Sequence, residues 1–403
     1  MMNKNIRFSL LFRICSIILI LFFVVSACTS VPENTPDLNA TAIFENALQT
    51  VEYELREPTI TQTVIVESPT PEPTYTSTPE INRTPPALPQ VFTSEYLNPM
   101  DVPRSYIEDI CTYLKMRWDP NNASPGTIVM PIMFHSVTDA EKAEGSAITH
   151  DTLMALARNL NDQGFTAITM QQLSDFLTKN AKIPERSVIL IVDDRHYADY
   201  YESHFRPLYE EYGWTVVNGW ISMEGTLQEV LDGNARLQNE GWVDHQSHGV
   251  IHNIPISIDS SEDYMRSELG GSITSIQSVY GVTPIAYIWP GGGFTPRAVE
   301  IAQEYGYQLG FTVNPRGPVM FNWIPQGNEY DPARPSYIPE GQVNNPLLTL
   351  PRYWDVDASI HIDSARIIGK EAKTYALEYR DTELEYYDIV CKPITGEIPA
   401  MAE

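Results

Sequence analysis

An apolar run, Ser187 to Val192, ends abruptly in two carboxylates, Asp193 and Asp194. A short, continuously apolar run reads as a strand buried on both faces, the kind found in parallel sheets covered by helices. In such α/β folds the chemistry gathers at the C-terminal strand ends, so the run delivers both carboxylates to the mouth of the fold. Further on, His248 and His252 stand at i and i+4. That spacing places two imidazoles on one face of a helical turn, where they can hold one cation. One Asp and two His would leave a zinc-like ion with an open position for water, and the second carboxylate is free to act as a base. An Asp-Asp pair by itself is common in acidic loops, and a single His-x-x-x-His is often structural. In this order, on these elements, they form a constellation for metal-assisted hydrolysis.

The surrounding pattern supports an α/β architecture. Strands are predicted at 127–135, 167–170, 187–194, 215–222, 242–247, 284–289, 308–313 and 347–355. Helices are predicted at 103–118, 150–163, 171–179, 197–211, 224–240, 261–280, 296–306 and 362–378. Thr295-Pro296 has the form of an N-cap followed by Pro at the first helical position. Alternating strands and helices point to a (β/α) barrel or a doubly wound sheet. The Pro-, Gly- and Asn-rich stretch 315–346 is too long for a plain connection and reads as a lid or binding loop beside the site.

The N-terminal residues read as a targeting segment. Lys4, Arg7 and Arg13 precede an apolar stretch, Ile14 to Val25, followed by Ser26, Ala27 and Cys28. Small residues before a Cys have the form of a bacterial lipobox, so residues 1–28 are expected to be a lipoprotein signal with Cys28 lipidated. The alternative is an uncleaved membrane anchor, for which the apolar run is short. Residues 29–90, including the Pro/Thr-rich stretch 67–80, cannot bury a core and read as an extended linker. The folded domain is expected over 91–403, exported and tethered to the outer face of the cell membrane or envelope. There, Cys111 and Cys391 are expected to form a disulfide joining an N-terminal helix to the C-terminal segment; two free thiols are the alternative. The net charge of −26 argues against nucleic acid or an anionic membrane surface as the ligand.

From about Thr127 to Arg366 the chain resembles the polysaccharide deacetylase family, carbohydrate esterase family 4. The resemblance rests on Phe134-His135 at the end of the opening strand, Asp193-Asp194, the pair His248 and His252, Trp289-Pro290-Gly291, and Leu350-Pro351-Arg352. It implies a distorted (β/α) barrel that removes N-acetyl groups from peptidoglycan or from a chitin or poly-N-acetylglucosamine polymer. It also implies Asp193 as the base and Asp194, His248 and His252 as ligands of a divalent metal of the zinc type.

The chain departs from that pattern. Arg195 replaces the usual Gly after the Asp pair, and Gly249 stands where Ser or Thr is usual. The Arg of the third motif is missing, and no late Leu-x-His supplies an acid. Arg195 and Arg352 are rivals for orienting Asp193. His361 is the candidate acid, or else a solvent-facing histidine; protonated Asp193 returning its proton is a second route. His135 either lines the site floor or is a core histidine, and His245 is either a further imidazole or points away. Trp289, Pro290 and Gly291, with Phe294, Trp323 and Tyr353, are candidates for contact with sugar, and buried aromatics are the alternative. Two rival functions follow: a non-catalytic glycan- or wall-binding protein on a degenerate deacetylase scaffold, and a glycosidase using Asp193 with a distant carboxylate.

Overall fold

The computed structural model describes residues 83–401. The expected lipoprotein signal with Cys28, and the expected linker as far as residue 82, lie outside the described residues. Residues 83–90, which composition places in the linker, lack regular structure but lie on the domain. Arg83 donates to Asp388 at 2.6 Å, and Leu88 packs on the cluster around Cys111 and Cys391.

The strands, in chain order, are β1 (Asp101–Arg104), β2 (Ile128–Phe134), β3 (Ser136–Thr138), β4 (Ala147–Thr149), β5 (Thr166–Ala167), β6 (Arg186–Val192), β7 (Val216–Trp220), β8 (Val243–Ser247), β9 (Ala286–Ile288), β10 (Leu309–Phe311), β11 (Ile324–Gly327) and β12 (Tyr353–Trp354). One curled eight-stranded parallel sheet runs β10-β9-β8-β7-β6-β2-β12, with β5 also on β6. Its two edges meet through one crooked segment. Leu350 exchanges backbone hydrogen bonds with Gly310 and Thr312, beside β10, while Tyr353 and Trp354 pair with Ile132 and Met133 of β2. The architecture is the distorted (β/α) barrel that the resemblance implies, and not the doubly wound sheet that the alternation of elements also allowed.

Strand side chains alternate between two cores. On β2 and β6, Ile128, Met130, Ile132, Phe134, Val188, Leu190 and Val192 face a helical layer that includes Leu153, Leu156, Leu160, Phe205 and Ile362. Val129, Ile189 and Ile191 face the barrel interior with Val217, Ile288, Phe311 and Leu350. Because β2 and β6 pair Phe134 with Val192, the next residues out, His135 and Asp193, continue the interior face side by side.

Several predicted elements change. The helix expected at 197–211 is two, Ala198–His204 and Arg206–Tyr212, because Pro207 lacks the N–H that would continue the first. Pro103 does not start a helix. It sits in the edge strand β1, paired with β11, and the helix begins at Ile110 with Asp109 as cap. The stretch 315–346 is therefore not a free lid, since β11 ties it to β1. The last strand shrinks to Tyr353–Trp354, because Pro346–Leu348 takes a 3-10 turn. The closing helix is longer than expected, Ala358–Tyr386. Thr295 does cap helix Pro296–Glu304, accepting from the Ala298 amide at 3.0 Å. Cys111 and Cys391 are disulfide-bonded across a sequence separation of 280 residues.

Candidate active site

Asp193 leaves β6 pointing into the barrel mouth and is 2% exposed. Arg352, 0% exposed, grips it with both guanidinium nitrogens, Nη1 to Oδ1 at 2.5 Å and Nη2 to Oδ2 at 2.9 Å. The Arg352 Nε–H donates to the Thr312 carbonyl at 2.7 Å, so the fork is locked from behind. A bidentate fork of this kind supplies geometry as well as charge. Burial alone would raise the Asp193 pKa. The adjacent guanidinium outweighs it, helped by His248, and holds the carboxyl below its ordinary range. His135 Nε2 lies 3.9 Å from Asp193 Oδ2, and its ring stacks on Trp354 with centroids 5.2 Å apart.

Asp194 follows with a φ of 72°, a left-handed conformation unusual for a non-glycine residue. The turn swings its carboxylate toward the histidines. Asp194 Oδ1 lies 3.1 Å from His252 Nε2 and 4.0 Å from His248 Nε2. One donor atom from each of the three residues fits within a 4.8 Å set, a spread suited to one cation. The chemistry of the set also fits. His248 Nδ1 donates to the Ile288 carbonyl at 2.7 Å, which leaves the Nε2 lone pair for a metal. Burial holds His248 below its usual pKa, in the neutral form a metal needs. Hydrogen bonding to Asp194 raises His252, while Asp194 falls to about 2, burial being overcome by its bond to His252 and by the nearby histidines.

The histidines are not on a helical turn, contrary to the spacing-based expectation. They flank an irregular loop in which Gly249 has φ 79° and His252 φ 58°. A carboxylate holds the loop instead of helical hydrogen bonds. Glu268, buried on helix Glu262–Tyr280, accepts from the Val250 amide at 2.8 Å and the Ile251 amide at 3.0 Å. A Cβ on Gly249 would sit 2.6 Å from Glu268 Oε2, which explains glycine where Ser or Thr is usual. Nothing in the local sequence pointed to Glu268; an acidic residue on a buried helix face was the available signal. Glu268→Ala is expected to weaken metal binding about 10- to 100-fold, as loss of outer hydrogen-bond partners does. A chelator-competition titration checks this, and unchanged affinity would mean the loop is held by other contacts.

Other predicted site residues fall elsewhere. Arg195 donates to Thr226 Oγ1 at 2.5 Å, on the loop after β7, so it is Arg352 that grips Asp193. His361 lies in the first turn of the last helix, its ring 5.1 Å from that of Tyr353, whose side chain belongs to the helix-facing core. The half-turn between Arg352 and Tyr353 puts that contact on the far side of the sheet from Asp193. Trp289 is fully buried, its indole N–H donating to the Leu348 carbonyl, and Phe294, Trp323 and Tyr353 are buried too. These four are core and not a sugar platform. Pro290 is buried beside Gly249, and Gly291 is exposed, its carbonyl accepting from Arg334. His245 points into the helical layer, hydrogen-bonded to Gln238 and stacked on Tyr280, three residues and one strand face away from His248.

Asp355 also escaped the sequence reading. It is 2% exposed, accepts from the Val356 amide at 2.8 Å, and its Oδ2 has no partner. Burial, with a contribution from the Asp193 charge, pushes its pKa up to about 7. The folded state thus binds this proton more tightly than the unfolded chain does. Stability contributed by the protonated acid is full below about pH 4 and is lost as pH rises through 7. Asp355→Asn is expected to gain on the wild type by on the order of 4 kcal/mol between pH 4 and pH 8. Urea denaturation at the two pH values tests it, and parallel pH profiles would sink the assignment.

Residues 180–310 match the sequence profile of the family described as Polysaccharide deacetylase. That stretch contains Asp193, Asp194, His248 and His252, while His135, Arg352 and Asp355 lie outside it. The Bacillus subtilis (strain 168) protein named Putative polysaccharide deacetylase YxkH is 21% identical over 186 residues, 46% of this chain and 64% of that protein. The match thus spans less than two thirds of that relative. Among solved structures, the Streptococcus pyogenes deacetylase PplD in complex with acetate has 19% identity and a TM-score of 0.45, covering 56% of this chain and 92% of the other. IcaB from Ammonifex degensii has 14% identity and a TM-score of 0.46, covering 60% and 97%.

Proposed function

We propose that this protein is a metal-dependent hydrolase that removes N-acetyl groups from a polysaccharide of the peptidoglycan or poly-N-acetylglucosamine type. One observation carries the reading. An Asp-His-His set with its donors within 4.8 Å of one another stands beside a second, arginine-gripped carboxylate, inside the stretch that matches the deacetylase profile. A zinc-like ion on Asp194, His248 and His252 would supply a Lewis acid and a water of lowered pKa.

The chain's own groups account for the proton movements. Asp193, kept ionised by Arg352, accepts a proton from the attacking water. Its Oδ2 lies 4.0 Å from His248 Nε2 and 3.9 Å from His135 Nε2, so it is within reach of a water held near the histidines. His135 replaces His361 as the group that donates a proton to the departing amine. Its Nε2 faces Asp193, and the Trp354 stack fixes the ring plane. With a lipidated Cys28 and a Pro/Thr-rich tether, the domain would act at the outer face of the membrane.

The test is acetate release from N-acetylglucosamine oligomers and from peptidoglycan by the purified full-length protein, with zinc supplied and then chelated. Release that needs the metal supports the deacetylase. No release while zinc stays bound would favour a non-catalytic glycan-binding protein.

A further inference from the structure

A second group of metal-type donors lies on other residues. His150 is the first residue of helix His150–Asp162, His204 the last of helix Ala198–His204, and Asp139 follows β3. Their ligand atoms all lie within 4.8 Å of one another. His150 Nδ1 and His204 Nδ1 face each other at 3.2 Å, and Asp139 Oδ1 is 3.9 Å from His204 Nδ1. None of the three belongs to the Asp194, His248 and His252 set.

Two like nitrogens at that separation either share one proton or direct two lone pairs at a common point. The surroundings favour the second arrangement. His204 is 5% exposed and packed edge-on against Tyr200 with ring centroids 5.1 Å apart, so it cannot turn freely to solvent. Among the described residues, Asp139 has no Lys or Arg partner and pairs only toward His204. Asp139 is 82% exposed, so its carboxylate is free to close on a dication that the two imidazoles hold. Two imidazoles and one carboxylate suit zinc-like ions and leave one position for water.

We propose that Asp139, His150 and His204 form a second site for a zinc-like dication, with a structural role. Its ligands bridge the chain leaving His135 to two helices of the outer layer. Besides the packing of Val137 and Ile148 in the helix-facing core, that chain is held by the pairing of β3 with β4 and by the Val137 amide, which donates to the Tyr200 hydroxyl at 3.0 Å. A bound ion would pin residues 136–149 and, through them, the strand end that carries His135.

The test is metal counting on the purified full-length protein, stripped and titrated with Zn(II), with a thermal melt at each step. The wild type is expected to hold two equivalents. Asp139→Ala combined with His150→Ala leaves one, and His252→Ala also leaves one but keeps a zinc-dependent rise in Tm. Asp139→Ala alone changes an exposed side chain, so it reads out the site even where loss of His150 impairs folding. It is expected to weaken the second equivalent at least tenfold. A single wild-type equivalent that His252→Ala abolishes overturns the proposal, as do two full-affinity equivalents retained by Asp139→Ala.

Discussion

Asp193→Asn is expected to lower turnover by about 10²- to 10⁴-fold, the usual contribution of a positioned general base, while leaving metal binding intact. The amide keeps the shape and one acceptor for the Arg352 fork, but it cannot take a proton. Asp193 is not among the three donors that converge for a cation, so zinc stoichiometry should match the wild type. Hydrolysis and metal content, measured on the same preparation, separate the two roles. Activity within tenfold of wild type would remove Asp193 as the base. Loss of metal together with activity would make it a ligand.

Arg352→Met should give the largest stability loss. Both partners of the Arg352–Asp193 pair are buried, and removing one strands a carboxylate away from water, at a cost of about 3–5 kcal/mol. Most other ion pairs here are on the surface. The Arg297 cluster with Glu262, Glu300 and Glu304 is exposed, and each such pair contributes only about 0–1 kcal/mol. The substitution also removes the charge that opposes the effect of burial on Asp193. Its pKa should therefore rise, and the acidic limb of the rate profile should move to higher pH. Arg352→Lys keeps the charge but loses the planar fork, so it should restore the limb more fully than the rate. A wild-type urea midpoint and an unmoved limb in Arg352→Met would show that other groups hold Asp193.

The donor set proposed for the metal was legible in the chain because its members mark local features. Asp193 and Asp194 end an apolar run, and His248 and His252 stand four apart. Counting alternate residues along β8 would also have separated His248, on the interior face, from His245, on the helical face, since the side-chain period of a strand is two. The Cys111–Cys391 disulfide was the reading that the cysteine count and the expected export favoured over two free thiols. The helical turn assigned to 248–252 was wrong, because spacing reports which donors can converge and says nothing about the backbone that carries them. There the backbone is set by Gly249 and by Glu268, a contact eighteen residues away in sequence.

Residue types and periodicity pointed to the α/β class and to the Asp and His that could serve as donors of one cation. Folding chose among the alternatives that sequence left open. Arg352 rather than Arg195 reaches Asp193, because the crooked segment at Leu350–Trp354 bridges the two sheet edges and turns alternate side chains into the mouth. By the same alternation Trp354 meets His135, while Tyr353 turns to the helical layer, where the ring of His361 from the closing helix lies against it. Asp355 and Glu268 became visible only as buried carboxylates beside the site. Their neighbours come from strands and loops far along the chain, and burial and electrostatic proximity are properties of the packed molecule that local pattern does not encode.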